Sequence, residues 1–140
     1  MEAVTKIDMN QNSTKLRPAV QADADRIAQL ESDMFPDNCW NERTVETQLV
    51  FGDSWVAEYQ DVVVGYALVN RQNGLADLLR LGVVQEHRRQ GLAGLLIEIS
   101  LASTPAVLTV QRGNPAIGLY RQHGFKVAGV VEGAWLMRRA

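Results

Sequence analysis

The order of elements read from the sequence, β-α-α-β-β-β-α-β-α-β-β, predicts a mixed α/β fold: a central sheet of about six to seven strands flanked by about four helices. Three observations carry this. Short apolar runs separated by tight-turn signals fill the middle of the chain, as expected of antiparallel strands. Three- to four-residue apolar spacing, the helical period, occurs before and after that block. The length of 140 residues, 46% hydrophobic and 21% charged, suits one domain around one core.

Residues 1–13 are polar and unpatterned and read as a flexible terminal tail, leaving 14–140 as the folded domain. A short strand is expected at 15–20. A helix follows over about 22–34, with Ile27, Leu30 and Met34 on one face and Asp23 and Asp25 near its positive end. Pro36 ends it. Asn41 is a good N-cap for a second helix carrying Val45 and Leu49. Strands at 55–59 and 62–69 flank a turn at Gln60-Asp61, and Asn73-Gly74 leads into a third strand at 75–84. Then come a helix at 91–102, a strand at 107–111, a helix at 116–123, and a final hairpin, 125–131 with 134–138, around Glu132-Gly133.

Composition removes several classes of function. A net charge of -2 and a pI near 5.6 give no global basic field, so neither nucleic acid nor a membrane surface is an expected partner. No apolar run reaches the roughly 18–20 residues needed to cross a bilayer. The start lacks the apolar stretch of a secretory signal, and the single Cys39 rules out an intramolecular disulfide; a cytoplasmic protein is expected. One cysteine and two widely spaced histidines make no metal site.

The segment LADLLRLGVVQEHRRQGLAG, residues 75–94, carries the chemistry. An apolar strand ends at Val83-Val84, a polar loop follows, and a helix opens at Gly91. The first turn of a helix leaves about four N–H groups without partners, and its dipole adds roughly half a positive charge. Gly91 lets backbone approach a bulky phosphate, Ala93 and Gly94 keep the helix start small, and Arg88 and Arg89 add charge. No Gly-Lys-Ser/Thr follows and no G-x-G-x-x-G spacing occurs, so neither a Walker loop nor a dinucleotide fingerprint is present. Spacing alone leaves open both the anion and an ordinary strand-loop-helix with an exposed arginine pair.

Arg88-Arg89-Gln90-Gly91-Leu92-Ala93 resembles the Q/R-x-x-G-x-G/A coenzyme A loop of the GNAT acyltransferases. Leu81-Gly82-Val83-Val84 before it, Leu119-Tyr120-Arg121-Gln122-His123-Gly124-Phe125 after it, and Arg17-Pro18-Ala19 upstream are similar to other segments of that superfamily, in the same order. The resemblance implies a sheet whose splayed strands form an acyl-coenzyme A cleft, and acetyl transfer from acetyl-coenzyme A to a primary amine. By position it implies that Leu81, Gly82, Val83 and Val84 line the pantetheine arm. Arg88, Arg89, Gln90, Gly91, Leu92, Ala93 and Gly94 would hold the pyrophosphate, and Asn114 and Tyr120 would stand near the thiol. A metal is not implied. The superfamily commonly dimerises, so a homodimer is one expected assembly.

The acceptor side is drawn less fully. A lysine-like amine is only about 0.04% neutral at pH 7, an α-amine about 10–20%. A phenol near pKa 10 can protonate a leaving thiolate, which makes Tyr120 the candidate acid, with core packing as its other reading. Asp77 stands where many members have a glutamate base, one methylene shorter. Thr109 replaces a glutamate found in relatives that acetylate protein N-termini. Phe35-Pro36-Asp37-Asn38-Cys39-Trp40 resembles a segment of the ribosomal-protein N-terminal acetyltransferases, which places Phe35 and Trp40 at the acceptor. The final hairpin is short and lacks the tyrosine pair of those relatives, and one residue is missing between Asn114 and Tyr120. Glu31, Asp33 and Glu58 read as surface charge. A peptide N-terminus and a small amine therefore both stand as acceptors, and an acyl-coenzyme A-binding module without catalysis is the alternative function.

Overall fold

A computed structural model describes residues 5–9 and 12–140. Its elements are β1 (Thr5–Met9), β2 (Asn12–Pro18), α1 (Ala24–Met34), α2 (Glu42–Phe51), β3 (Trp55–Tyr59), β4 (Val62–Gln72) and β5 (Leu75–Val83). They continue with α3 (Leu92–Leu101), β6 (Ala106–Val110), α4 (Ile117–Gln122), β7 (Lys126–Val131) and β8 (Ala134–Arg139). All eight strands form one sheet in the order β1-β2-β3-β4-β5-β6-β8-β7. The expected mixed α/β architecture is present, with one strand more than the sequence suggested. That strand lies in the segment read as a tail: residues 1–4, 10 and 11 fall outside the described residues, but Thr5–Met9 pairs antiparallel with Leu16 back to Asn12. Strand pairing uses backbone groups, so a polar stretch without apolar alternation can join a sheet edge and leave no pattern to read.

Three hairpins turn on paired left-handed residues: Gln60 and Asp61, Asn73 and Gly74, and Glu132 and Gly133 all have φ between 50° and 84°. Two consecutive residues of this kind match the right-handed twist of the strands they join. Asn41 caps α2 as expected, its side chain accepting from the Thr44 amide at 2.9 Å.

Alternating side chains of the sheet feed two cores. On one face Leu92, Leu96, Ile97 and Leu101 of α3 pack with Ala67, Leu78, Leu108, Met137 and Phe125. On the other, Ile27 and Leu30 of α1 and Val45 of α2 cover Val56, Tyr66 and Leu68. A leucine fully withdrawn from water contributes roughly 1.5–3 kcal/mol, so several such side chains hold each face.

One irregularity positions the site. Leu68 pairs with Arg80 and Val69 with Leu78, which makes Leu79 a bulge in β5. A bulge bends its strand and sharpens the local twist. On the opposite edge, β5 meets the parallel β6 at Ala76–Ala106 and Asp77–Val107 and no further. The two strands diverge from there, at the residue before the bulge region begins.

Candidate active site

Beyond the Asp77–Val107 rung the diverging strands enclose a cavity of about 210 Å³. Leu78, Leu79, Arg80 and Leu81 of β5 form one wall, and Leu108, Thr109 and Val110 of β6 form the other. Phe35 and Asn38 close it on the α1 side; Asn114, Tyr120 and Ala134 close it beyond β6. Among these residues there is no aspartate, glutamate or histidine, and Arg80 carries the one formal charge.

Tyr120 reaches this cavity from α4 while packing edge-on against Phe125, with ring centroids 6.1 Å apart. One position thus packs the ring in the core and puts the residue at the cavity wall. Burial pushes its hydroxyl pKa above the ordinary tyrosine value, and the neighbouring Arg80 charge partly opposes that. Asn114 lines the cavity too, but its Oδ1 accepts the Ala116 amide at 2.8 Å, shaping the turn into α4.

The β5 backbone offers groups to the cleft. Val84 donates its amide to Val64 of β4 at 2.9 Å, so by strand alternation the peptide groups of Leu81 and Val83 turn the other way, where β6 has left. Arg88 takes up one of them: its Nε donates to the Val83 carbonyl at 2.8 Å, which fixes the loop from within. Arg89 and Gly91 are left-handed, with φ of 65° and 77°. An added Cβ at Gly91 would meet nothing within 4 Å, so the glycine serves φ and leaves open space in front of α3. The first amides of α3, at Leu92, Ala93 and Gly94, have no partner within the helix. Gly94 has a different constraint: a Cβ there would lie 2.8 Å from Nε2 of His123, so its smallness serves the packing of α3 on α4. Gln90 lies in the loop just before Gly91.

Asp77 is on the last paired rung and does not line the cavity. It is half-buried, and burial raises its carboxyl above the ordinary aspartate value. Trp40 does not line the cavity either; it borders a shallow pocket along α2 with Arg43, Thr44, Thr47 and Gln48.

Glu31 is the largest departure from the sequence reading. It is 0% exposed, not surface charge. Its carboxylate accepts from the Tyr66 hydroxyl, from the Trp40 amide at 3.0 Å and from Nε of Arg80 at 3.0 Å. Nη2 of Arg80 lies 2.7 Å from the same carboxylate oxygen, a poorly aligned ion-pair contact, and is buried with no other acceptor. Burial and Glu31 hold the Tyr66 hydroxyl far above its ordinary value. The guanidinium of Arg80 stacks 5.0 Å from the Phe35 ring centroid and 6.0 Å from that of Trp40. Gly82 makes room for this cluster, since a Cβ would fall 2.6 Å from the Tyr66 oxygen. Four separated segments supply these groups, and the sequence signal was a carboxylate four positions after Ile27 and seven after Ala24, on the apolar face of α1. Glu58 is likewise engaged, 3.3 Å from an Arg17 that also grips Asp23 at 2.8 Å.

Comparison with known proteins accords with this geometry. Residues 51–127 match the family model of the acetyltransferase (GNAT) domain. Among solved structures, Ard1 from Thermoplasma volcanium superposes with a TM-score of 0.80 at 17% identity, covering 90% of this chain and 96% of that one. Naa50 of Arabidopsis thaliana, in complex with the bisubstrate analogue CoA-Ac-MVNAL, gives 0.76 at 19% identity over 91% and 98%. Diaminobutyrate acetyltransferase EctA from Paenibacillus lautus, with its substrate L-2,4-diaminobutyric acid and coenzyme A, gives 0.73 at 17% over 91% and 94%. No curated protein sequence matches the chain.

Proposed function

The chain belongs to the GNAT acetyltransferase family, and from that premise we propose that it transfers an acetyl group from acetyl-coenzyme A to a primary amine of low basicity, either a peptide N-terminus or the α-amine of a small molecule. The observation that carries this is the cavity at the strand divergence, with a tyrosine hydroxyl at its wall and no carboxylate or imidazole among its described lining residues. Without a base at hand, the acceptor must supply its own neutral fraction, which an α-amine does and a lysine-like amine does not. Structural neighbours supply both kinds of acceptor: Naa50 was captured with a peptide bisubstrate analogue and EctA with a small amino acid.

The residues fit the donor. The outward-facing peptide group of Leu81 and the Val83 amide suit the amides of a pantetheine arm, next to Gly82 and Val84, which stay paired with β4. The free amides of Leu92, Ala93 and Gly94, together with the loop at Arg89, Gln90 and Gly91, suit the pyrophosphate. Arg88 acts by bracing that loop. In the reaction the amine nitrogen attacks the thioester carbonyl carbon. The C–N bond forms, the C–S bond breaks, and sulfur takes the bonding electron pair and a proton from the Tyr120 hydroxyl. The extra amine proton leaves to water, and a proton from water restores the Tyr120 hydroxyl; Asp77, outside the cavity lining, would act only through that water.

Thiol release from acetyl-coenzyme A, measured against peptides with free N-termini, small amino acids and polyamines, tests the reading. Release with α-amines, reduced about 100-fold or more in Tyr120→Phe with coenzyme A affinity retained, supports it. Binding of acetyl-coenzyme A without release by any acceptor would establish the non-catalytic module instead.

A further inference from the structure

We propose that Arg80 is an acceptor-recognition residue: it receives an anionic group of the acceptor, so that the favoured substrate is a primary amine carrying a carboxylate within a few bonds of the nitrogen. This deepens the acetyltransferase reading above and rests on it. Arg80 and Glu31 form an oriented pair. The Glu31 side chain is wholly buried at 0%, while the Arg80 side chain is 17% exposed and lines the cavity. Glu31 is already shared among Tyr66, Trp40 and Arg80. A guanidinium has five N–H donors; Nε and Nη2 both face Glu31, at 3.0 and 2.7 Å, and Nη2 is enclosed against it, so the exposed part of the side chain is what remains to meet a ligand. No other described residue lining the cavity is charged, so an anion that meets this guanidinium in the cleft enters with the substrate.

The same placement helps the chemistry. A positive charge beside the reacting amine disfavours its ammonium form, which lowers its pKa where no base does so. It also opposes entry of polycations. The Phe35 and Trp40 rings lie 5.0 and 6.0 Å from the guanidinium carbon and add cation–π attraction that helps hold it at the cavity. Two sources offer the required group, a free amino acid through its α-carboxylate and a peptide beginning with an acidic residue through its side chain.

Both are tested by matched pairs. Thiol release is compared for a free amino acid against its amide, and for peptides beginning with glutamate against glutamine. The expected result is a preference of about tenfold or more for the anionic member of one pair, in line with a hydrogen bond to a charged group. That preference should vanish in Arg80→Gln and survive in part in Arg80→Lys. The pH at which kcat rises should move upward in Arg80→Gln, a change that mere loss of packing would not cause. Because Arg80→Gln strands Glu31, the double variant Glu31→Gln/Arg80→Gln, which leaves no buried charge, serves as the folded control. If no acceptor releases thiol, calorimetric binding of the N-acetylated acids and their amides to the coenzyme A-loaded protein reads the same preference without turnover. Equal handling of both members of each pair by the wild type, or discrimination that persists in Arg80→Gln, overturns the proposal and leaves the acetyltransferase reading standing on thiol release alone.

Discussion

The two ends of the cleft are built by different means. At the α3 end a short continuous loop supplies backbone amides, a left-handed glycine and open space. At the α1 end, four segments bring Glu31, Trp40, Tyr66 and Arg80 together around a fully buried carboxylate. The loop is defined by conformation and tolerates neighbours; the cluster is defined by space and charge and tolerates no change alone. On the function proposed above, the loop would serve a donor common to the family and the cluster a particular acceptor.

The largest expected effect breaks the cluster. Glu31→Ala would leave Arg80 as an unpaired, mostly buried charge, and a loss of about 3–5 kcal/mol is expected by chemical denaturation. A loss under about 1 kcal/mol would mean that the ion pair is not structural. Two glycines then sharpen the contrast. Gly82→Ala forces a methyl against the Tyr66 hydroxyl and is expected to cost about 1–3 kcal/mol by overpacking, with loss of activity from the displaced Arg80. Gly91→Ala meets no atom but must hold a left-handed backbone, for about 1 kcal/mol; coenzyme A affinity is the second readout there. Similar losses at both positions would erase the distinction between space and conformation.

The smallest effect concerns Asp77, between the two ends. Burial raises its carboxyl pKa, so the folded chain holds that proton more tightly than the unfolded one. At neutral pH the fold bears the cost of the charged form, and below the ordinary carboxylate range it bears none. Asp77→Asn is therefore expected to raise the melting temperature at pH 7, with the gain shrinking as pH falls through the carboxylate range. Turnover in the same variant reports whether the proton relay passes through this residue.

Periodicity and turn chemistry made most of the fold legible. The 55–59 strand, the Asn41 cap and the three tight turns follow from local rules, and element ends differ by one to three residues because end turns fray. The donor loop was readable because its residues are contiguous. Glu31 was not: an acidic residue on an amphipathic helix is usually solvated, and its partners lie 9, 35 and 49 positions away. Arg80 was passed over for a related reason. Regular alternation cannot register the Leu79 bulge, which places two consecutive residues of β5 on related sides of the strand.

The short β5–β6 pairing has a mechanical consequence. The divergence is a crack in a sheet, its tip at Asp77–Val107, and only one further rung, Ala76–Ala106, lies behind it. In a cracked plate the opening at the mouth is governed at the tip, since a small rotation there is multiplied by the length of the arms. Ala76 and Ala106, both fully enclosed and remote from the chemistry, thus set the gauge of the whole cleft.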